Sequence, residues 1–179
     1  MTRIFLIGFM ASGKTTLGRA LAQDLNLQFI DMDSYIENRF CKSVSTLFAE
    51  RGEEAFRRIE HQILHEVADI EDVVISTGGG TPCFFDNMDY MNAHGTTVFL
   101  QASPEVLFTR LTISRTQRPL VASKTGDELR AYIQTSLSAR EPFYAKAHHI
   151  FCSDTLEDKH QIATSVALFK QQILGSLQP

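Results

Sequence analysis

Short apolar runs alternate along the chain with longer stretches in which apolar positions recur every three or four residues. The runs are Ile4-Phe5-Leu6-Ile7, Leu27-Gln28-Phe29-Ile30-Asp31, Val73-Val74-Ile75-Ser76-Thr77, Thr97-Val98-Phe99-Leu100 and His149-Ile150-Phe151-Cys152. They predict strands, and the β-branched run from Val73 predicts one buried on both faces. Helical spacing joins Leu17, Leu21 and Leu25, then Ile59, Ile63, Val67 and Ile70. It returns at Val106, Leu107 and Leu111, and again at Ile162, Val166, Phe169 and Ile173. Shorter helices are expected over 34–39 and 43–50, the second N-capped by Ser43 and broken by Gly52. Ser103-Pro104 suits the start of the helix through Leu111, and a helix over 127–145 is expected to be disturbed at Pro142. Between Thr112 and Lys124 the periodicity weakens and polar and basic residues dominate, which predicts an excursion from the core.

Strands separated by helices imply right-handed crossovers and an α/β fold with a parallel sheet of about five strands. Ligands in such sheets bind beyond the carboxyl ends of the strands. Three carboxyl-end loops stand out: Gly8 to Thr16, Asp31-Met32-Asp33, and Gly78-Gly79-Gly80. They are expected to converge on one crevice.

The first loop, Gly8-Phe9-Met10-Ala11-Ser12-Gly13-Lys14-Thr15-Thr16, fits G-x-x-x-x-G-K-[ST]. A plain strand-to-helix turn would explain the glycines but not Lys14-Thr15 at this offset. A P-loop explains both, because successive inward N–H groups and the positive end of a helix make a nest for phosphate. Lys14 would reach the β- and γ-phosphates, and the Thr15 hydroxyl would ligate Mg²⁺.

Composition narrows the partners. The 179 residues suit one domain; 44% are hydrophobic, 21% charged, and the formal net charge is −4. That balance argues against general nucleic-acid binding or an anionic membrane surface. Cys41, Cys83 and Cys152 form no C-x-x-C pair, so neither a disulfide framework nor a cysteine zinc site is indicated. No apolar run reaches membrane length and no signal peptide is recognisable, so a cytoplasmic location is expected.

Several other clusters carry two meanings each. Asp31 and Asp33 can be turn formers and a helix N-cap, or carboxylates for a metal and a hydroxyl; two apart on a strand, they would face the same way. Arg57 and Glu60, three apart on a helix, can be a solvated ion pair. They can equally be an anion-binding guanidinium fixed by Glu60 and walled by Phe48 and Phe56; the residues leave both open. Gly78-Gly79-Gly80 can be slack, or a close approach of ligand to backbone. Of Arg110, Arg115, Arg118, Arg130 and Arg140, Arg118 lies in the excursion and could bring charge to a phosphoryl group as water leaves. Arg140, near a helix end, could simply cap carbonyls. His61 and His65 are four apart on one helix face, a spacing that can hold metal, but no third ligand is evident.

Together these pieces resemble the shikimate kinase family. The resemblance runs through the P-loop, Asp31-x-Asp33, Gly52-Glu53, Phe56-Arg57-x-x-Glu60, the triple glycine, Arg118-Pro119-Leu120 and Leu137-x-x-Arg140-x-Pro142-x-Tyr144. It implies a three-layer P-loop fold of the nucleoside-monophosphate-kinase type in one domain, 1–179. A substrate-binding region near 33–61 and a lid near 112–125 belong to that picture. It also implies ATP-dependent phosphorylation of the 3-hydroxyl of shikimate, with Mg²⁺, by a monomer. By that resemblance Ala11, Ser12, Gly13, Lys14, Thr15 and Thr16 meet the ATP phosphates, and Thr15 and Asp31 serve the metal. Asp33 holds the reacting hydroxyl, Arg57 and Arg140 grip the carboxylate, and Gly79, between Gly78 and Gly80, offers its backbone. Arg118 is the lid arginine, Arg110 flanks adenine, and a further adenine contact is expected near Thr155. Ala11 departs from the glycine usual in the family; if that position needs positive φ, alanine costs on the order of 1 kcal/mol.

Other functions remain to be separated at this point. One is a related small-molecule kinase, such as a gluconate or nucleoside-monophosphate kinase. Another is a nucleotide-binding module without catalysis, against which Lys14, Thr15, Asp31, Asp33 and Arg118 all argue.

Overall fold

A computed structural model describes residues 2–113, 124 and 126–175. Five strands, β1 (Arg3–Ile7), β2 (Gln28–Asp31), β3 (Val73–Ser76), β4 (Thr96–Gln101) and β5 (His149–Cys152), form one sheet in the order β2-β3-β1-β4-β5. Every pairing is parallel. The helices are α1 (Lys14–Leu25), α2 (Met32–Phe40), α3 (Val44–Ala68), α4 (Asn87–His94), α5 (Pro104–Ile113), α6 (Gly126–Tyr144) and α7 (Lys159–Phe169). A 3₁₀ turn spans Thr81–Cys83, and α7 runs on as a wider π-type segment over Lys170–Leu174. Among the described residues no helix is long and apolar enough to cross a membrane.

Alternation along β1 shows why the fold has three layers. Phe5 and Ile7 join one core with Ile36, Leu47, Ile63 and Val67 of α2 and α3. Ile4 and Leu6 point the other way, into a core with Leu17 and Leu21 of α1 and Val166 and Phe169 of α7. A third cluster seats Leu107 of α5 and Ile133 of α6 against Phe9 and Met10. Gly18 lets α1 lie close on the sheet, since a Cβ there would sit 2.6 Å from the Phe29 ring and 3.0 Å from Leu6.

Most expected elements appear, with differences at particular residues. The Ser43 hydroxyl accepts from the Thr46 N–H at 3.1 Å, and Ser103 accepts from Val106 at 3.4 Å, as caps should. Gly52 sits at φ 77°, ψ 169°, outside helical geometry, so α3 is two helical stretches meeting at a kink there, the break that the sequence predicts. Pro142 lies inside α6, within its last turn, where its missing N–H costs one bond and the helix still reaches Tyr144. Helix α4 had no sequence signal: only Met88 and Met91 on it are buried apolar residues. Strand β2 ends at Asp31, so Asp33 belongs to the first turn of α2. The two aspartates therefore do not share a strand face; Asp31 is the cap of α2, accepting from Ser34 N–H at 3.3 Å.

Candidate functional site

The sheet order puts β1 in the middle, with β3 and β2 on one side of it and β4 and β5 on the other. The loop leaving β1 therefore lies between two half-sites.

The P-loop is held as a nest. Gly13 adopts φ 92° at the N-terminus of α1, and a side chain there would run into Leu156. Ala11 adopts φ 63°, so the strained left-handed conformation that makes glycine usual here is real, and alanine bears it. Ser12 is buried and its hydroxyl has no hydrogen-bond partner among the described residues. Lys14 is 8% exposed, and its Nζ donates to the carbonyls of Gly8 and Phe9, both at 2.9 Å, which lays it across the loop. Thr15 and Thr16 are exposed at the mouth. The Thr15 hydroxyl donates to Asp31 Oδ2 at 2.7 Å, joining the loop to the end of β2. This pair of oxygens suits a hard cation such as Mg²⁺, which keeps several waters and takes few protein ligands.

Beyond β4 and β5, Arg110 of α5 stitches the nucleotide side together. Its Nη1 donates to the Ala11 carbonyl at 3.3 Å, and its Nη2 to the carbonyls of Ser153 at 2.9 Å and Asp154 at 3.2 Å. Glu157 holds its Nε at 2.8 Å. Every bond lies in the guanidinium plane, so its flat faces remain for stacking. Thr155 is exposed on the same loop, its carbonyl accepting from the Ser165 hydroxyl at 3.0 Å.

Beyond β3, four side chains from three helices meet the triple glycine. A Cβ on Gly78 would lie 3.3 Å from Asp33 Oδ1 and 2.5 Å from Glu60 Oε1. One on Gly79 would lie 3.3 Å from Arg140 Nη1, and one on Gly80 2.8 Å from Arg57 Nη1. A side chain at Gly78 or Gly80 would displace the buried Glu60 or Arg57 head group, and one at Gly79 would be crowded, so the run is not mere slack. Arg57 is 9% exposed and Glu60 2%. The Arg57 guanidinium pairs with Glu60 and reaches Glu53 at 3.2 Å, while Glu60 accepts from the Thr81 hydroxyl at 2.9 Å. The solvated-surface alternative for Arg57 and Glu60 thus fails.

Phe48 and Phe56 stand 5.8 and 5.6 Å from the Arg57 guanidinium carbon, but Phe84 is closer at 4.4 Å. Phe84 carried no sequence signal, because it comes from beyond the 3₁₀ turn. Arg140 lies over the Phe9 ring at 5.3 Å, and the Tyr144 hydroxyl donates to the Gly79 carbonyl at 2.6 Å. Burial holds the Tyr144 hydroxyl protonated well above the ordinary phenol range, with Arg140 pulling weakly the other way. Burial likewise raises the Cys83 thiol against the lowering pull of Arg140 and Arg57, so Cys83 stays a neutral neighbour of both guanidiniums. Arg118, like Pro119 and Leu120, lies outside the described residues.

Comparison with known proteins decides the family. A shikimate kinase family model matches residues 10–170. The chain belongs to the shikimate kinase family. The shikimate kinase of Phocaeicola vulgatus is 58% identical over 173 residues, covering 97% of this chain and 99% of that one. A crystal structure of shikimate kinase from Bacteroides thetaiotaomicron superposes with a TM-score of 0.95 at 54% identity, over 97% and 98% of the two chains. The shikimate kinase of Acinetobacter baumannii in complex with shikimate matches with a TM-score of 0.84 at 27% identity, over 99% and 96%. A gluconokinase from Sinorhizobium meliloti shares the fold alone, with a TM-score of 0.59 at 15% identity over 99% and 98% of the two chains. The shikimate kinase fold is thus shared with kinases for other acceptors, and the sequence match separates this chain from them.

Proposed function

We propose that the protein transfers the γ-phosphate of ATP to the 3-hydroxyl of shikimate, giving ADP and shikimate 3-phosphate on the route to chorismate and the aromatic amino acids. The observation that carries it is the convergence of Asp33, Arg57 and Arg140 on Gly78-Gly79-Gly80, beside a complete P-loop. A small anion bearing hydroxyls needs this set: guanidiniums for the carboxylate, a carboxylate for a hydroxyl, and bare backbone for close approach.

In this reaction the protein does little covalent chemistry; positioning and charge stabilisation dominate. The amides of Ala11 to Thr16 cradle the ATP phosphates, and Lys14 swings from its carbonyl partners to the β- and γ-phosphates. Thr15, braced by Asp31, would hold Mg²⁺, which would supply charge neutralisation at the phosphates. Asp33 orients the reacting hydroxyl and takes its proton. Arg57, locked by Glu60 and its aromatic walls, and Arg140 grip the carboxylate. Gly79 is held by Tyr144 against the substrate. Arg110 stacks on adenine near Thr155. Arg118 is carried by the family resemblance alone. The enzyme works as a cytoplasmic monomer.

A coupled ADP-release assay with shikimate, gluconate, AMP and CMP as acceptors tests this. Turnover is expected with shikimate only. Faster turnover of gluconate would move the protein to the related kinases, and ATP binding without turnover of any acceptor would make it a binding module.

A further inference from the structure

We propose that His61, His65 and Asp86 form a divalent transition-metal site of the zinc class where α3 meets the start of α4, separate from the P-loop and its Mg²⁺. One ligand atom from each residue lies within 4.8 Å of the others. The two imidazoles, four apart on α3, meet edge-on with ring centroids 4.5 Å apart. Asp86 supplies the third ligand, which spacing along the sequence does not reveal. Two nitrogens and one carboxylate oxygen suit Zn²⁺, Co²⁺ or Ni²⁺; Mg²⁺ and Ca²⁺ want oxygen throughout.

The surroundings are those of a ligand set. His61 Nδ1 meets Asn87 Oδ1 at 2.7 Å. The Asn87 amide is oriented by its own bond to the Thr81 carbonyl at 2.8 Å, so its oxygen faces the ring. His61 therefore carries its proton on Nδ1 and presents a lone pair at Nε2, the arrangement that outer hydrogen bonds impose on metal-binding histidines. His65 Nε2 is buried and has no hydrogen-bond partner among the described residues, a costly state for an imidazole nitrogen.

Asp86 is delivered by strain. Phe85 sits at φ 51°, a conformation that bulky residues avoid, and packs on His61 with centroids 5.0 Å apart. Asp86 precedes α4 as its cap residue, yet its side chain caps nothing. Its carboxylate instead lies 3.9 Å from His61 Nδ1, and at 69% exposed it has room to turn toward the Nε2 edge of the ring and ligate a metal there. Water would complete the coordination.

The test is Zn²⁺ titration of the whole protein by calorimetry, with Mg²⁺ in excess. Co²⁺ substitution then reports nitrogen ligation by its visible spectrum. One Zn²⁺ is expected to bind in the presence of Mg²⁺, and Asp86→Ala and His65→Ala are each expected to weaken it by at least about tenfold. Should His65→Ala fail to fold, His61→Ala replaces it; Asp86→Ala removes no capping bond. Replacing Cys41, Cys83 and Cys152 together by serine must leave Zn²⁺ affinity intact, since all three thiols are free. Absence of Zn²⁺ binding, affinity that survives either ligand substitution, or affinity lost with the cysteines overturns the proposal.

Discussion

Replacing Arg57 by methionine separates its structural part from its part in binding. Methionine keeps an unbranched stem against Phe48, Phe56 and Phe84 but removes the charge. Glu60, 2% exposed, is then left without its guanidinium. Breaking a buried pair costs about 3–5 kcal/mol. The lower end applies here, because Glu60 still accepts from Thr81. A domain with about 5–15 kcal/mol of stability survives that loss. On the proposed function the acceptor site would also lose a charge-assisted contact to the carboxylate, worth about 1.5–3 kcal/mol, so the KM for shikimate should rise about 10- to 150-fold while that for ATP holds. Adding Glu60→Gln removes the stranded charge and keeps an acceptor for Thr81. The double variant should regain most of the lost stability in urea melts, yet its KM in the ADP-release assay should stay raised. Recovery of KM along with stability would show that Arg57 acts only as a brace and would refute its contact with substrate.

Asp33→Asn should cut kcat by about 10²-fold or more with little change in melting temperature; near-normal kcat removes Asp33 from the chemistry. Gly18→Val should destabilise by about 2 kcal/mol or more, since its first carbon already meets Phe29 at 2.6 Å; an unchanged urea midpoint would refute the close packing of α1. His65 and His149 both have pKa values lowered by burial from 6.5. The unfolded chain therefore binds more protons just below that value. Their contribution is complete above it and is lost as pH falls beneath it. Urea melts with a chelator present should show this loss as pH falls below about 6.5, and His65→Gln should flatten it; an unaltered slope counts against the burial effect.

How far the residues spoke for themselves differed between the two halves of the site. The strand, loop and helix of Gly8 to Leu25 announce themselves, because local periodicity and fixed offsets carry the whole motif. Ala11 stands out only through the family resemblance, which has glycine there, and its φ of 63° supplies the reason. Asp31 and Asp33 were placed on one strand face, because nothing marks where β2 yields to α2; the cap made by Asp31 decides it. Tyr144, Thr81 and Phe84 bear on Gly79, Glu60 and Arg57 from 65, 21 and 27 residues away, through bonds and ring contacts that no local spacing records. Helix α4 escaped for a different reason: it is short and only weakly amphipathic, so tertiary packing rather than pattern makes it helical.

The central position of β1 has an evolutionary consequence. With the P-loop on the dividing strand, Asp33 and Arg57 of the proposed acceptor site come from the β3 and β2 flank and Arg110 of the proposed adenine contact from the β4 and β5 flank, while Arg140 of α6 crosses to the triple glycine. Mutations can therefore alter one partner with little disturbance to the other, and new acceptors should arise by rewriting α2, α3, the turn after β3 and the end of α6, leaving the donor's berth untouched.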